Sequence, residues 1–198
     1  MRRTHARTLD EIQRALAGSD GLQVAIELLH ERFDHYSWVG FYRVEGDELV
    51  LGPWRGPQET EHVRIAVGKG ICGAAAASGT TEVVDDVAVD HRYLSCFAST
   101  RSEIVVPVVR DGRVIGEIDI DSDRPSSFTE QDRVFLERVA EAIGSSDVIA
   151  APSARSTSWI VDEWGRGSFP ASDPPSRWAG PDSPVNSPGA CSAPAARH

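Results

Sequence analysis

The chain has 198 residues, 40% of them hydrophobic, with three cysteines and a formal net charge of −10. This is enough for one core of ordinary size, too little cysteine for a disulfide scaffold, and too acidic a surface for phosphate backbones or anionic lipid, so neither nucleic acid nor membrane is expected as a partner. The paired arginines Arg2 and Arg3 precede no apolar run suited to a signal sequence, and no segment approaches the roughly 18 apolar residues of a membrane span, so a reducing, cytoplasmic setting is expected.

Thr8 with Glu11, and Asp20 with Gln23, read as capping boxes. Each precedes apolar residues at helical spacing, Ile12 and Leu16 and then Leu22, Ile26, Leu29 and Phe33, so two helices are expected to open the domain. Residues 37–44 are aromatic and β-branched, Gly46-Asp47 is a turn pair, and residues 48–54 resume an apolar pattern, which predicts a hairpin. Residues 62–67 alternate like a further strand. Gly68-Lys69-Gly70 then breaks the chain before Ile71-Cys72-Gly73 and four alanines, a short helix stopped by Gly79, with Cys72 in its first turn.

Residues 81–84 form a short strand pattern, and residues 85–100 a loop of the length that usually serves binding, with Cys96 inside it. Residues 102–109 and 113–121 flank Asp111-Gly112, a strong hairpin signal. Thr129 caps a last helix whose apolar face is Phe135, Leu136, Val139 and Ile143. This order predicts an α+β fold, a central antiparallel sheet with helices packed on one face, over residues 1–147. Residues 148–198 form a Pro/Ser/Ala-rich tail with no apolar period, expected to be disordered; Trp159, Ile160, Val161 and Trp164 are either a docking segment or incidental aromatics.

Three sets of side chains can carry chemistry. At a helix N-terminus Cys72 is stabilised as a thiolate, unless it is simply a small core residue. Cys96 has Arg101 nearby, which lowers a thiol pKa if it points the right way, whereas Cys191 lies in the tail and is expected to be inert. Asp119 and Asp121 share one face of a strand and Ile118 and Ile120 the other. Pairing across the Asp111-Gly112 turn sets Glu103 against the region of Asp119 to Asp121. Carboxylates that close need a proton or a cation among them, unless they are only a solvated strand face. An acid kept protonated beside a thiolate is a candidate general acid. Trp38 and Tyr42, on the first strand, serve as a pocket wall or as core. His62, Cys72 and Cys96 lack the paired short spacings of structural zinc sites, so no metal is expected.

Gly68-Lys69-Gly70-Ile71-Cys72-Gly73, Tyr93-Leu94-Ser95-Cys96, Arg101-Ser102-Glu103-Ile104-Val105 and Gly116-Glu117-Ile118-Asp119-Ile120-Asp121-Ser122, with Trp38-Val39-Gly40-Phe41-Tyr42 ahead of them, carry a family resemblance. Over residues 8–143 the chain resembles the GAF-domain free methionine-(R)-sulfoxide reductases. The resemblance implies a GAF-like fold and reduction of free, not protein-bound, methionine sulfoxide. It implies Cys96 as the nucleophile that becomes a sulfenic acid, and Cys72 as the resolving thiol that closes a disulfide. Glu103, Asp119 and Asp121 would hold the substrate ammonium and support proton transfer, with Glu103 counted among the catalytic groups. Trp38 would face the substrate methyl group, and Tyr42 would be a further pocket residue. No bound cofactor is implied, thioredoxin or a similar dithiol would reopen the disulfide, and a homodimer is left open. One position departs: the family commonly has a third cysteine ten residues before Cys72, where this chain has His62. Either Cys72 alone resolves Cys96, or the domain is a non-catalytic GAF module that senses a small ligand or redox state.

Overall fold

In the computed structural model, which describes residues 3–95 and 97–149, the first helix begins before its capping signal. Helix α1 (Arg3–Ala15) carries Thr8 buried in its interior, because His5, ahead of it, joins Leu9 and Ile12 in one buried stripe. Burial of that stripe outweighs the local capping preference. Asp20 does stand at the N-cap of α2 (Gly21–Arg32), but its side chain makes no capping bond.

From there the elements follow the expected order. Strands β1 (Trp38–Glu45) and β2 (Glu48–Arg55) form a hairpin, followed by β3 (Arg64–Ala66). Helix α3 (Gly70–Ser78) ends on Gly79 in the left-handed region, whose N–H donates to the Ala75 carbonyl. After β4 (Glu82–Val84) and the long loop, β5 (Ser102–Arg110) and β6 (Arg113–Ser122) are joined by Asp111 and Gly112, with φ of 51° and 73°. Positive φ at both central residues is the geometry that Asp-Gly favours in tight hairpins. Helix α4 (Glu130–Gly144) opens with a complete capping box between Thr129 and Asp132.

The six strands are antiparallel neighbours in the order β3-β2-β1-β6-β5-β4. Period-two alternation gives the sheet two different faces. Val39, Phe41, Ile104, Val106, Ile118 and Ile120 join Ile12, Ile26, Leu29, Phe135, Leu136 and Val139 in one core, so α1, α2 and α4 cover this face as expected. Each fully buried aliphatic there stabilises the fold by about 1.5–3 kcal/mol. Trp38, Tyr42 and Val105 point the other way and meet Ile71, Cys72, Ala75 and Ala76 of α3 together with Val87 and Phe97 of the long loop. Small side chains let this short helix lie close to the strands.

Ile149 still belongs to the helical-side core, and Arg110 donates to the carbonyls of Gly144 at 2.8 Å and Ile149 at 3.0 Å. Cys96, Cys191 and the aromatic segment around Trp159 and Trp164 lie outside the described residues, as does most of the tail expected to be disordered. Among the described residues no helix is long and apolar enough to cross a membrane.

Candidate active site

Three strands build the site in rows. Trp38 on β1 pairs with Asp121 on β6, which pairs with Glu103 on β5; the next rows are Gly40, Asp119, Val105 and Tyr42, Glu117, Pro107. Directly opposed residues project to the same face. The three expected carboxylates and both expected aromatics therefore share one surface, the one α3 covers, and the strand face is not solvated. Glu103, Asp119 and Asp121 are 5%, 2% and 3% exposed.

Cys72, on the first turn of α3, brings its Sγ to 3.8 Å from Glu103 Oε1. One sulfur and two carboxylate oxygens, from Cys72, Glu103 and Asp119, lie within 4.8 Å of one another, and all three residues are buried. Cys72 is thus both a tightly packed residue and a thiol facing acids.

A fourth acid completes the cluster. Glu117 is fully buried in the Tyr42 row, and its carboxyl group faces the Cys72 thiol. Oδ1 of Asp119 and Oδ1 of Asp121 are buried without a hydrogen-bond partner among the described residues. Burial, followed by repulsion from Asp119, Asp121 and Glu117, pushes the Glu103 pKa well above the usual carboxylate range. Burial and then Asp119 do the same to Glu117 and to Asp121. Asp119 rises to about 7 through burial, against the opposing contact with the Cys72 thiol. Such a group retains protons near neutrality, and a cation among the carboxyl groups favours their release.

The apolar side of the site is Trp38. Its ring stacks near Trp54 at 6.3 Å between centroids and meets Phe97 of the long loop at 5.8 Å. Two glycines make room for it: a Cβ on Gly40 would stand 2.2 Å from Trp38 Cη2, and one on Gly56 would stand 2.3 Å from Cδ1. The indole Nε1 is buried without a hydrogen-bond partner among the described residues. Tyr42 occupies the same face, and its hydroxyl donates to the His62 carbonyl at 2.9 Å, tying β1 to the segment before β3.

The long loop is held on both sides of the position of Cys96, itself outside the described residues. Arg92 donates to Asp90 at 2.8 Å and to Glu82 of β4 at 3.1 Å, while Val87 N–H donates to the Arg101 carbonyl at 2.9 Å. Arg101 donates from its guanidinium to the carbonyls of Ala98 and Thr100, so it shapes the turn after Cys96.

Sequence reasoning missed Glu117 and Thr100. Glu117 shares the parity of Asp119 and Asp121, a signal that was available; Thr100, whose hydroxyl hydrogen-bonds Asp121 and opposes the rise of its pKa, gave none. A separate surface cavity of about 550 Å³ lies by α1 and the start of α4, lined by His5, Arg32, His35, Arg124 and Asp132. There Asp132 receives Tyr36 Oη at 3.2 Å and faces His5 at 3.3 Å and His35 at 3.4 Å. That cluster ties α1, the α2–β1 connection and α4 together and contains neither thiol.

The GAF domain family matches residues 7–146 of this chain. The free methionine-R-sulfoxide reductase of Escherichia coli (strain K12) is 42% identical over 112 residues, covering 57% of this chain and 67% of that protein. An X-ray structure of the free methionine-R-sulfoxide reductase of Neisseria meningitidis in complex with its substrate is 38% identical, with a TM-score of 0.66 over 71% of this chain and 86% of that one. The type II free methionine-R-sulfoxide reductase of Thermoplasma acidophilum is also 38% identical, with a TM-score of 0.62 over 67% of this chain and 92% of that one.

Proposed function

Because the chain belongs to the free methionine-R-sulfoxide reductases of the GAF-domain family, we propose that it reduces free L-methionine-(R)-sulfoxide in the pocket between α3 and the acidic face of the sheet. The observation that carries this reading is the set of buried acids around Cys72, with oxygens of Asp119 and Asp121 that lack a hydrogen-bond partner among the described residues. A free amino acid brings an ammonium group to such a pocket, and a protein-bound methionine does not. Trp38 offers the apolar surface for the substrate methyl group, with Tyr42 behind it.

In the proposed cycle the Cys96 thiolate attacks the sulfoxide sulfur. Glu103, whose pKa burial and the neighbouring acids raise well above the usual carboxylate range and whose Oε1 lies 3.8 Å from the Cys72 thiol, delivers a proton to the sulfoxide oxygen. The adduct collapses as the methionine S–O bond and the newly formed S–S bond break and the hydroxyl passes to the Cys96 sulfur, so methionine leaves and Cys96 becomes a sulfenic acid. The Cys72 sulfur then attacks the sulfenic sulfur, water departs, and a Cys72–Cys96 disulfide forms. Thioredoxin or a similar dithiol reopens it by exchange, so the balance is one sulfoxide and one dithiol consumed for one methionine, one disulfide and one water. No bound cofactor enters. The cycle uses Cys72 as the resolving thiol with His62 in place of a further cysteine, and it suits a reducing, cytoplasmic setting.

The test is an assay of the full chain on free L-methionine-(R)-sulfoxide with thioredoxin as reductant, followed by a thiol count on the oxidised protein. Methionine production with the loss of two thiols per chain is expected. No methionine from the (R) epimer would overturn the reading.

A further inference from the structure

A buried thiol facing buried carboxylates has a second chemistry open to it. The sulfur of Cys72 and one oxygen each of Glu103 and Asp119 lie within 4.8 Å of one another, and Sγ to Glu103 Oε1 is 3.8 Å. In a tetrahedral zinc site, with Zn–S near 2.3 Å and Zn–O near 2.0 Å, sulfur and oxygen ligands stand about 3.5 Å apart. The pair is therefore within a few tenths of an ångström of a chelating separation without any backbone movement.

The surroundings point to a cation independently of that spacing. Asp119 Oδ1 is buried and lacks a hydrogen-bond partner among the described residues, and the buried Glu117 turns its carboxyl group to the same thiol. Leaving such oxygens unmatched is costly, and a bound cation removes the cost. The donor set also discriminates between cations. One thiolate with two carboxylates suits a soft or borderline ion such as Zn²⁺, whereas Mg²⁺ and Ca²⁺ want six or more oxygens and no sulfur.

We propose that, in the reduced protein, Cys72, Glu103 and Asp119 form a binding site for a thiophilic divalent cation of the zinc class. Three protein ligands leave the fourth position of the tetrahedron to water. Binding releases to solvent the thiol proton of Cys72 and any proton held by Glu103 or Asp119, and replaces the S–H bond by an S–metal bond, with no change of oxidation state. Metal occupancy thereby withdraws Cys72 from disulfide chemistry, and oxidation of Cys72 withdraws the metal's only sulfur ligand in this set. The site goes beyond the proposed reduction of methionine sulfoxide and is tested without measuring it.

The probe is Co²⁺, whose bond to a thiolate gives a charge-transfer absorption, titrated into the freshly reduced full-length chain under anaerobic conditions. One Co²⁺ per chain with that absorption is expected, displaced by Zn²⁺ and unaffected by excess Mg²⁺ or Ca²⁺. Cys72→Ser should remove the absorption and weaken Zn²⁺ binding by at least the roughly 100-fold that loss of even an outer partner can cost. Glu103→Gln should weaken Zn²⁺ binding while keeping the absorption, and Cys191→Ser should change neither. Thermal melts of the variants control for folding. Absence of the charge-transfer band in the reduced parent protein overturns the site, and so does undiminished Zn²⁺ affinity in Cys72→Ser.

Discussion

Glu103 on β5 stands directly opposite Asp121 on β6, and both carboxyl groups are buried. Like charges at opposed positions on a sheet destabilise it, and here Asp119 and Glu117 extend the cluster along β6. Protonation relieves the repulsion in the free protein, and a bound cation relieves it in a complex. Stability and ligand binding should therefore respond to pH in opposite directions.

Stability is expected to fall as pH rises through neutrality. The folded-state pKa of Asp119 is raised from 3.8 to about 7, and those of Glu103, Glu117 and Asp121 are also raised well above their ordinary values. The native state thus binds more protons than the unfolded one across this window. Its stabilisation is complete below the unfolded carboxyl pKa and is lost as pH climbs through the folded one, at a limiting slope of about 1.4 kcal/mol per pH unit for each proton retained. Chemical denaturation at about pH 5 and about pH 8, without ligand, measures this. Asp119→Asn should flatten the slope, and stability constant across that range would contradict the raised pKa values.

The substrate amine should be essential for binding. Free methionine sulfoxide is expected to bind more tightly as pH rises through about 7, because the acids then become carboxylates for its ammonium group. The N-acetyl derivative should bind at least about 10-fold more weakly, since it offers no charge for the buried carboxylates. Asp119→Asn and Asp121→Asn should lower affinity by a similar factor, and Glu103→Gln should also slow the chemical step. Equal affinity for both ligands by calorimetry would remove the role given to the acids.

The two thiols should separate in a rapid-quench experiment. Cys96→Ser is expected to abolish methionine formation, whereas Cys72→Ser should release one methionine per chain and then stall as a sulfenic acid that a dimedone-type reagent traps. His62→Cys should either speed recycling or add a second disulfide linkage, visible by mass analysis of the oxidised protein. Sustained turnover in Cys96→Ser would reassign the nucleophile.

Gly40→Ala should perturb the pocket through Trp38 alone. The added methyl would stand 2.2 Å from the indole ring, so the ring must swing away. Overpacking of this kind costs on the order of 1–3 kcal/mol. A raised KM for the sulfoxide with a smaller change in kcat is expected if the indole binds the substrate methyl group. An unchanged KM in a folded variant would assign Trp38 to the core only.

The amino-acid sequence by itself determined the elements, their order and the residue types of the site. Asp111-Gly112, Gly79, Thr129 and the apolar periods act within a few residues of themselves, so their signals survive in one dimension. Thr8 shows the limit: a capping pattern lost to a buried stripe whose value depends on a distant core. Register shows it more sharply. Counting back from the Arg110 and Arg113 pair at the turn would set Glu103 opposite Ile120, on the apolar face; a bulge in β6 between Val114 and Gly116 shifts the ladder by one and sets it opposite Asp121. A one-residue shift exchanges the two faces of a strand, so the acidic face depends on an irregularity that the turn signal did not foretell. Tertiary packing also decided the burial of Glu117 and the approach of Cys72 to Glu103, because α3 reaches the sheet only after the chain has folded back. Local chemistry selects each segment's conformation, whereas desolvation and the proximity of charges exist only once distant segments meet.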